Sequence, residues 1–179
     1  YPFARAFLPS QALTDGRLII EVVEGRYGKV AAQGESPESA QRFLAPLQAG
    51  AVIESSTLER ATLVLDDQPG FKAAPIIRPG QELGTGDLDV RVSRERLFSG
   101  DVGLDNHGNR FTGEYRARLN VQADSPFMFG DQIRLNTLVS DEGMWLGSLN
   151  YSLPLGASGL RGNVGYAHTY YELAKDFAN

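Results

Sequence analysis

The chain of 179 residues has no cysteine, one tryptophan and two histidines. Without thiols there are no disulfides and no thiolate metal sites, and the sequence is silent on redox compartment. No run of about 18 apolar residues occurs, which excludes a transmembrane helix but not barrel strands, since those are only half apolar. Lys and Arg number 17 against 22 Asp and Glu, a net charge of -5. A deficit of cations argues against a nucleic-acid partner, because displacing phosphate counterions needs clustered Lys and Arg. The first residues, Tyr1-Pro2-Phe3, lack the basic and apolar regions of a signal peptide, so an exported protein is expected here as a mature or truncated piece.

What the chain has instead is alternation. Tyr115, Ala117, Leu119, Val121 and Ala123 interleave with Glu114, Arg116, Arg118, Asn120, Gln122 and Asp124. Side chains of a strand point alternately to opposite sides, so a period of two gives one apolar and one polar face. The pattern returns. Ile133, Leu135, Thr137 and Val139 alternate with Gln132, Arg134, Asn136 and Ser140, and Trp145, Gly147, Leu149, Tyr151 and Leu153 with Ser148, Asn150 and Ser152. Phe98, Gly100, Val102 and Leu104 open the series, and Leu160 to Tyr170 closes it. Turn formers at Asn106 to Asn109, Asp124 to Gly130, Ser140 to Gly143 and Pro154 to Gly159 predict five antiparallel strands joined by short links. Strands of about 9 to 11 residues with one oily face suit a wall between lipid and a polar lumen. Trp145, Tyr151, Tyr166 and Tyr170 are candidates for interfacial girdles. The rival reading is a soluble sandwich whose oily face meets a second sheet.

The first half reads differently. Phe3 to Leu8 and Leu18 to Val23, around Thr14-Asp15-Gly16, predict a hairpin, which cannot bury its own apolar face. A strand over Tyr27 to Ala32 follows. Ser36-Pro37 then predicts a helix start carrying Phe43, Leu44 and Leu47, and Ser56 with Glu59 predicts a capping box for a second helix with Leu58, Ala61 and Leu65 on one face. Phe71 to Arg78 and Leu88 to Ser93 complete the order β-α-α-β-β. Pro75 assigns the first of these two strands to a sheet edge, where an added strand finds open backbone groups. The same proline also serves simply to blunt an edge against aggregation. Lys72, Ala74, Ile76 and Arg78 are the candidate client contacts, and Arg116, Arg118, Asn120, Arg134, Asn136, Asn163 and Arg161 the candidate lumen residues.

Chemistry is sparse. His107 in a turn and His168 in a strand are too isolated for a catalytic pair. Asp101, Asp105 and Asn109 lack the spacing of a calcium loop, the Gly-rich segments lack a phosphate-loop ending, and no paired carboxylates suggest acid and base. No enzyme, metal or cofactor is expected.

Tyr1-Pro2-Phe3-Ala4-Arg5-Ala6 with Pro9, Gln11, Asp15-Gly16 and Val23-Glu24-Gly25 resembles the end of the first POTRA module in outer-membrane transporters of two-partner secretion, the haemolysin-activator and haemagglutinin-exporter type. Residues 26 to 93 resemble that family's second module, and Gly84-Thr85-Gly86-Asp87-Leu88, Leu104-Asp105-Asn106-His107-Gly108 and Thr112-Gly113 its module end and first barrel hairpin. The resemblance implies a fold of POTRA module (α+β) followed by antiparallel strands of a partial transmembrane β-barrel. The implied domains are residues 1–25, the close of a preceding module, then 26–96, a POTRA module, then 97–179, the first barrel strands. It further implies an outer-membrane location with the module in the periplasm, a secreted exoprotein and membrane lipid as partners, and export driven by passenger folding, since no nucleotide motif occurs. The turns at Asp124 to Gly130 and Pro154 to Gly159 would face the periplasm. The family's pore-loop arginine motif has no counterpart in these residues. An assembly factor that inserts other barrels shares the fold and remains the alternative, with the soluble binding protein third.

Overall fold

The computed structural model describes residues 3–11 and 16–172. Tyr1 and Pro2 of the resemblance and Thr14-Asp15 of the first predicted turn lie outside them. The elements run β1 (Arg5–Phe7), β2 (Glu21–Val23), β3 (Arg26–Gly34), α1 (Pro37–Phe43), α2 (Ser55–Asp66), β4 (Phe71–Pro79), β5 (Thr85–Arg94), β6 (Phe98–Asp105), β7 (Arg116–Asp124), β8 (Gln132–Ser140), β9 (Trp145–Pro154) and β10 (Arg161–Tyr170). Two compact units result. One holds the residues up to Asp67 with Phe71–Arg94, and the other holds Gln68–Gly70 with Glu95 onward.

In the first unit β3, β5 and β4 form a sheet in that order, β3 parallel and β4 antiparallel to the central β5. Leu88, Val90 and Val92 of β5 are sealed under the helices with Phe43, Leu44, Ile53, Ala61, Leu65 and Phe71. Asp87, Asp89 and Arg91 alternate with them on the open face, as a period of two demands. The short hairpin β1-β2 is exposed throughout.

Four local expectations are corrected. Ser36 stands at the N-cap of α1 but adopts a left-handed φ of 48° and makes no side-chain cap bond. α1 stops at Phe43, so Leu44 and Leu47 are buried from the following turn. Ser56 lies inside α2, whose N-cap is Glu54, and the Thr57 hydroxyl donates to the Glu54 carboxylate at 3.1 Å. The extended conformation that starts a helix fell two residues earlier than the Ser-Glu spacing indicated. β5 also begins earlier, at Thr85, because only Gly84, at φ 81°, makes the turn that precedes it.

The second unit is a five-stranded antiparallel sheet in sequence order, β6 to β10. Its register aligns the apolar residues into rows. Leu104, Ala117, Val139, Trp145 and Tyr170 lie in one row, and Phe98, Ala123, Ile133, Tyr151 and Val164 in another near the opposite strand ends. Tyr166 pairs with Leu149 in a row between those two. Val102, Leu104, Val164 and Tyr166 are 75%, 82%, 68% and 71% exposed. Among the described residues no second sheet covers this face, and a sandwich would need one about 10 Å away. Trp145 lies over Gly147, where any Cβ would meet its ring at 3.0 Å, and packs tilted against His168, with 5.4 Å between ring centroids and 50° between the planes.

Candidate functional site

Two features stand out, one per unit. In the first unit, a three-stranded sheet has two edges. The edge of β3 is occupied: the Gln41 side chain accepts from the Ala32 amide at 2.8 Å and donates to the Val30 carbonyl at 3.3 Å, imitating a strand. Ala51 accepts from the Tyr27 amide at 2.9 Å, and the Gly50 amide donates to the Tyr27 carbonyl at 2.7 Å. Among the described residues no strand pairs with the outer edge of β4.

Its chemistry follows from the phase of the ladder, because in an antiparallel pair only alternate residues exchange hydrogen bonds. The Gly80 amide donates to the Thr85 carbonyl, and the Glu95 amide to the Gly70 carbonyl, each at 2.9 Å. With the register running from Phe71↔Arg94 to Pro79↔Gly86, the bonded positions are Lys72, Ala74, Ile76 and Arg78. Phe71, Ala73, Pro75, Ile77 and Pro79 turn their backbone groups outward. The four candidate client residues therefore spend their backbone on β5 and offer side chains to the open face, where Arg78 meets Asp89 at 3.7 Å, while Lys72 reaches back to Asp66 at the edge at 2.6 Å.

The outward row is rich in carbonyls and poor in amides. Pro75 and Pro79 have no N–H, and the Ala73 amide donates to Asp66 Oδ1 at 2.8 Å. From Ala73 to Pro79, Ile77 keeps the one amide that neither proline nor Asp66 removes. Asp66 sits at the last residue of α2. Burial pushes its carboxyl up, but the Lys72 ammonium and the Ala73 amide outweigh that and hold it below its ordinary value. Nothing in the sequence pattern marked Asp66 or Gln41 as edge residues, since both reach β-strand backbone from helices.

In the second unit the polar face is a network of ladders. Arg116 clasps Asp105 through Nε at 2.8 Å and Nη2 at 2.7 Å. Asn120 donates to both oxygens of Asp101 at 3.0 and 3.1 Å, with Arg118 at 3.9 Å from the same carboxylate. Arg134 donates to Gln122 at 3.1 Å and Asn136 to Ser148 at 3.2 Å. Asn163 is opposite Ser152 on the same face. Asp101 and Asp105 thus face arginine and asparagine, and Asn109 accepts from the Phe111 amide, so these three do not converge. Leu138 and Leu146 are partners on this otherwise polar face, an apolar step the alternation did not announce.

Arg161 differs from the other candidates. At the first position of β10 it donates to the Gly130 carbonyl at 2.7 Å, to Ser152 at 3.1 Å and to Gln68 at 3.4 Å, so it ties strand ends to a turn. In the same turn, Asp131 is fully buried and accepts from the Tyr151 hydroxyl at 2.8 Å and the Met128 amide at 3.2 Å. Phe127 lies against Tyr151, their ring centroids 6.3 Å apart.

Comparison with known proteins gives these arrangements a context. Residues 84–179 match the model of the family described as haemolysin secretion/activation protein ShlB/FhaC/HecB. The heme/hemopexin transporter protein HuxB of Haemophilus influenzae is 27% identical over 99% of this chain, and the chain covers 32% of that relative. The outer membrane transporter CdiB of Escherichia coli is 30% identical over 73% of the chain and 22% of its own length. Among solved structures, CdiB from Escherichia coli superposes with a TM-score of 0.73 at 24% identity, covering 96% of this chain and 33% of that one. BamA from Haemophilus ducreyi, at 15% identity, gives 0.56 over 92% of this chain and 32% of its own.

Proposed function

Because the chain belongs to the haemolysin secretion/activation family, we propose that it is the part of an outer-membrane protein translocator in which a periplasmic client-binding module meets the first strands of the export pore. The location is the outer membrane, and the activity is protein transport of the two-partner secretion type. On this reading residues 26–96 are a POTRA module, residues 1–25 close a preceding one, and 97–179 begin a transmembrane barrel. The substrate is a secreted exoprotein held unfolded before it crosses. The relatives are named as transporters.

The observation that carries the proposal is the single-layered sheet of the second unit: a face of uncovered Leu, Val and Tyr backed by ladders of Arg, Asn, Asp and Gln. Lipid suits the first face, and a water-filled lumen lined by Arg116, Arg118, Asn120, Arg134, Asn136 and Arg161 suits the second. In the module, the β4 edge is favoured for the client, by addition of an extended segment, because Gln41 and the loop at Gly50 already fill the other edge. Lys72, Ala74, Ile76 and Arg78 would then flank the added strand on the open face.

The test is to titrate peptides tiling the exoprotein into the transporter and follow the β4 amides by hydrogen exchange. Slowed exchange at Ile77 supports strand addition, and unchanged exchange at saturating peptide sinks it. An assembly factor for other barrels is the second reading, favoured by the likeness to BamA, which at its identity speaks for fold alone. A transporter variant that lost exoprotein export while other barrels still inserted would reject that alternative.

A further inference from the structure

The outward row of β4 has a feature that strand addition by itself does not require. Asp66, from the end of α2, reaches over the edge and takes the Ala73 amide at 2.8 Å with one oxygen and Lys72 Nζ at 2.6 Å with the other. A carboxylate bridging a backbone amide and an ammonium is a strong, oriented acceptor. It occupies the place that a carbonyl of an added strand would take. Two residues on, Pro75 offers a carbonyl and no amide, and Pro79 repeats this at the far end.

We infer that Asp66 is a latch on the client edge, which limits an added strand to anchoring at Ile77 and releases a second anchor at Ala73 only when the carboxylate swings away. The inference rests on the strand-addition reading above and adds its register and its control. The partner it describes is an extended segment that supplies N–H donors to the carbonyls of Ala73, Pro75, Ile77 and Pro79 and needs a return donor at one residue. Pairing of that kind is weak and short. A translocator that must release its client gains from an edge that cannot zip along its whole length, and the two prolines and the latch deny it that length. Full strand pairing also invites aggregation of the transporter itself, which interrupted edges avoid.

The latch has a readout that needs no client. In the full-length transporter, Asp66→Asn keeps an oxygen acceptor for the Ala73 amide and loses the negative charge that pairs with Lys72, whereas Asp66→Ala removes both. Hydrogen exchange at Ala73 is expected to be slow in the wild type, intermediate in Asp66→Asn and at least about tenfold faster in Asp66→Ala, with Val90 on the central strand unchanged as a check on folding. Equal exchange at Ala73 in all three overturns the latch whatever the client does. A lysine-tailed decapeptide of alternating Thr and Val serves as the extended probe. It should bind Asp66→Ala about fivefold more tightly than wild type, the effect of one added hydrogen bond, with protection spreading from Ile77 to Ala73. Equal affinity for both proteins overturns the latch. Absence of binding, with Ile77 exchange unaltered, overturns strand addition and the latch with it.

If Asp66→Ala loses the Val90 protection, Ile77→Pro takes its place. The Ile77 amide points away from β5, so proline removes no ladder bond, and probe binding should fall at least about fivefold. Undiminished binding would show that Ile77 is not the anchor.

Discussion

The two units solve the problem of apolar surface in opposite ways. In the first, Leu44, Ile53, Leu65, Leu88, Val90 and Val92 are each less than 2% exposed, sealed by two helices that the chain itself provides. In the second, the sheet turns Val102, Leu104, Val164 and Tyr166 outward, and the sealed side chains are largely polar: Ser125, Asp131 and Gln132. One unit carries its solvent-excluding layer with it. The other is complete only in surroundings that accept an oily wall, and its hydrogen bonds are concentrated on the face that water would wet.

The largest effects should come from substitutions that exploit this contrast. Leu88→Ala empties the centre of the first unit, where the side chain is fully buried, and should cost about 3 kcal/mol or more in chemical unfolding of that unit. Its counterpart is Leu135→Arg, in the middle of the apolar wall. A cation at the bilayer midplane costs about 2–4 kcal/mol, so this variant should fail heat-stability assays in lipid and accumulate outside the membrane. Asn136→Arg, one residue along and on the polar face, should assemble normally. If Leu135→Arg and Asn136→Arg behave alike, the assignment of lipid and lumen faces is wrong.

The sequence disclosed the wall more completely than the edge. A period of two is local: each residue from Ala117 to Ala123 announces its face by its own polarity, and register then follows from short turns. The order β-α-α-β-β was legible for the same reason, through glycine and proline at the element ends. Helix starts were less so, because Glu54 caps α2 by backbone geometry and not by a preferred cap residue. The β4 edge was legible only in part. Pro75 identified it, but which residues face outward depends on the hydrogen-bond phase set where Gly80 bonds Thr85, and polarity does not encode that phase. Gln41 and Asp66 act on strands 9 and 7 residues away through side chains, so no periodicity points to them.

Smaller effects separate the polar contacts of the two units. Arg161→Ala removes donors from Gly130, Ser152 and Gln68 and leaves a buried carbonyl without its partner, so the second unit should melt at lower temperature by about 1–3 kcal/mol of stability. In the first unit the Asp66 contact is dependent on pH. Its folded carboxyl titrates below the ordinary 3.8, so the stabilisation is present above that value and is lost as pH falls through the folded value. Acid unfolding of the first unit should therefore show a component starting near pH 3.8 that Asp66→Asn lacks. An identical acid limb in both proteins would mean the contact contributes nothing to folding.

The smallest expected change is a gain, at Tyr27. Its ring is 2% exposed and fills the core, while its hydroxyl, buried as well, meets no hydrogen-bond partner among the described residues. Burial raises its pKa and the nearby Glu54 carboxylate adds to the rise, so the folded unit favours the neutral phenol. Stability from that preference is complete below the ordinary value of 10.0 and is lost as pH rises toward the folded value. Tyr27→Phe keeps the ring, sheds the cost of a buried hydroxyl without a partner, and should raise stability by up to about 1 kcal/mol at neutral pH. The alkaline loss above about pH 10 should diminish in the same variant. A loss of stability on removing the hydroxyl would instead reveal a bond to Tyr27 that matters, and would make the core of the first unit more like the polar, hydrogen-bonded turn at Asp131 than the contrast between the units allows.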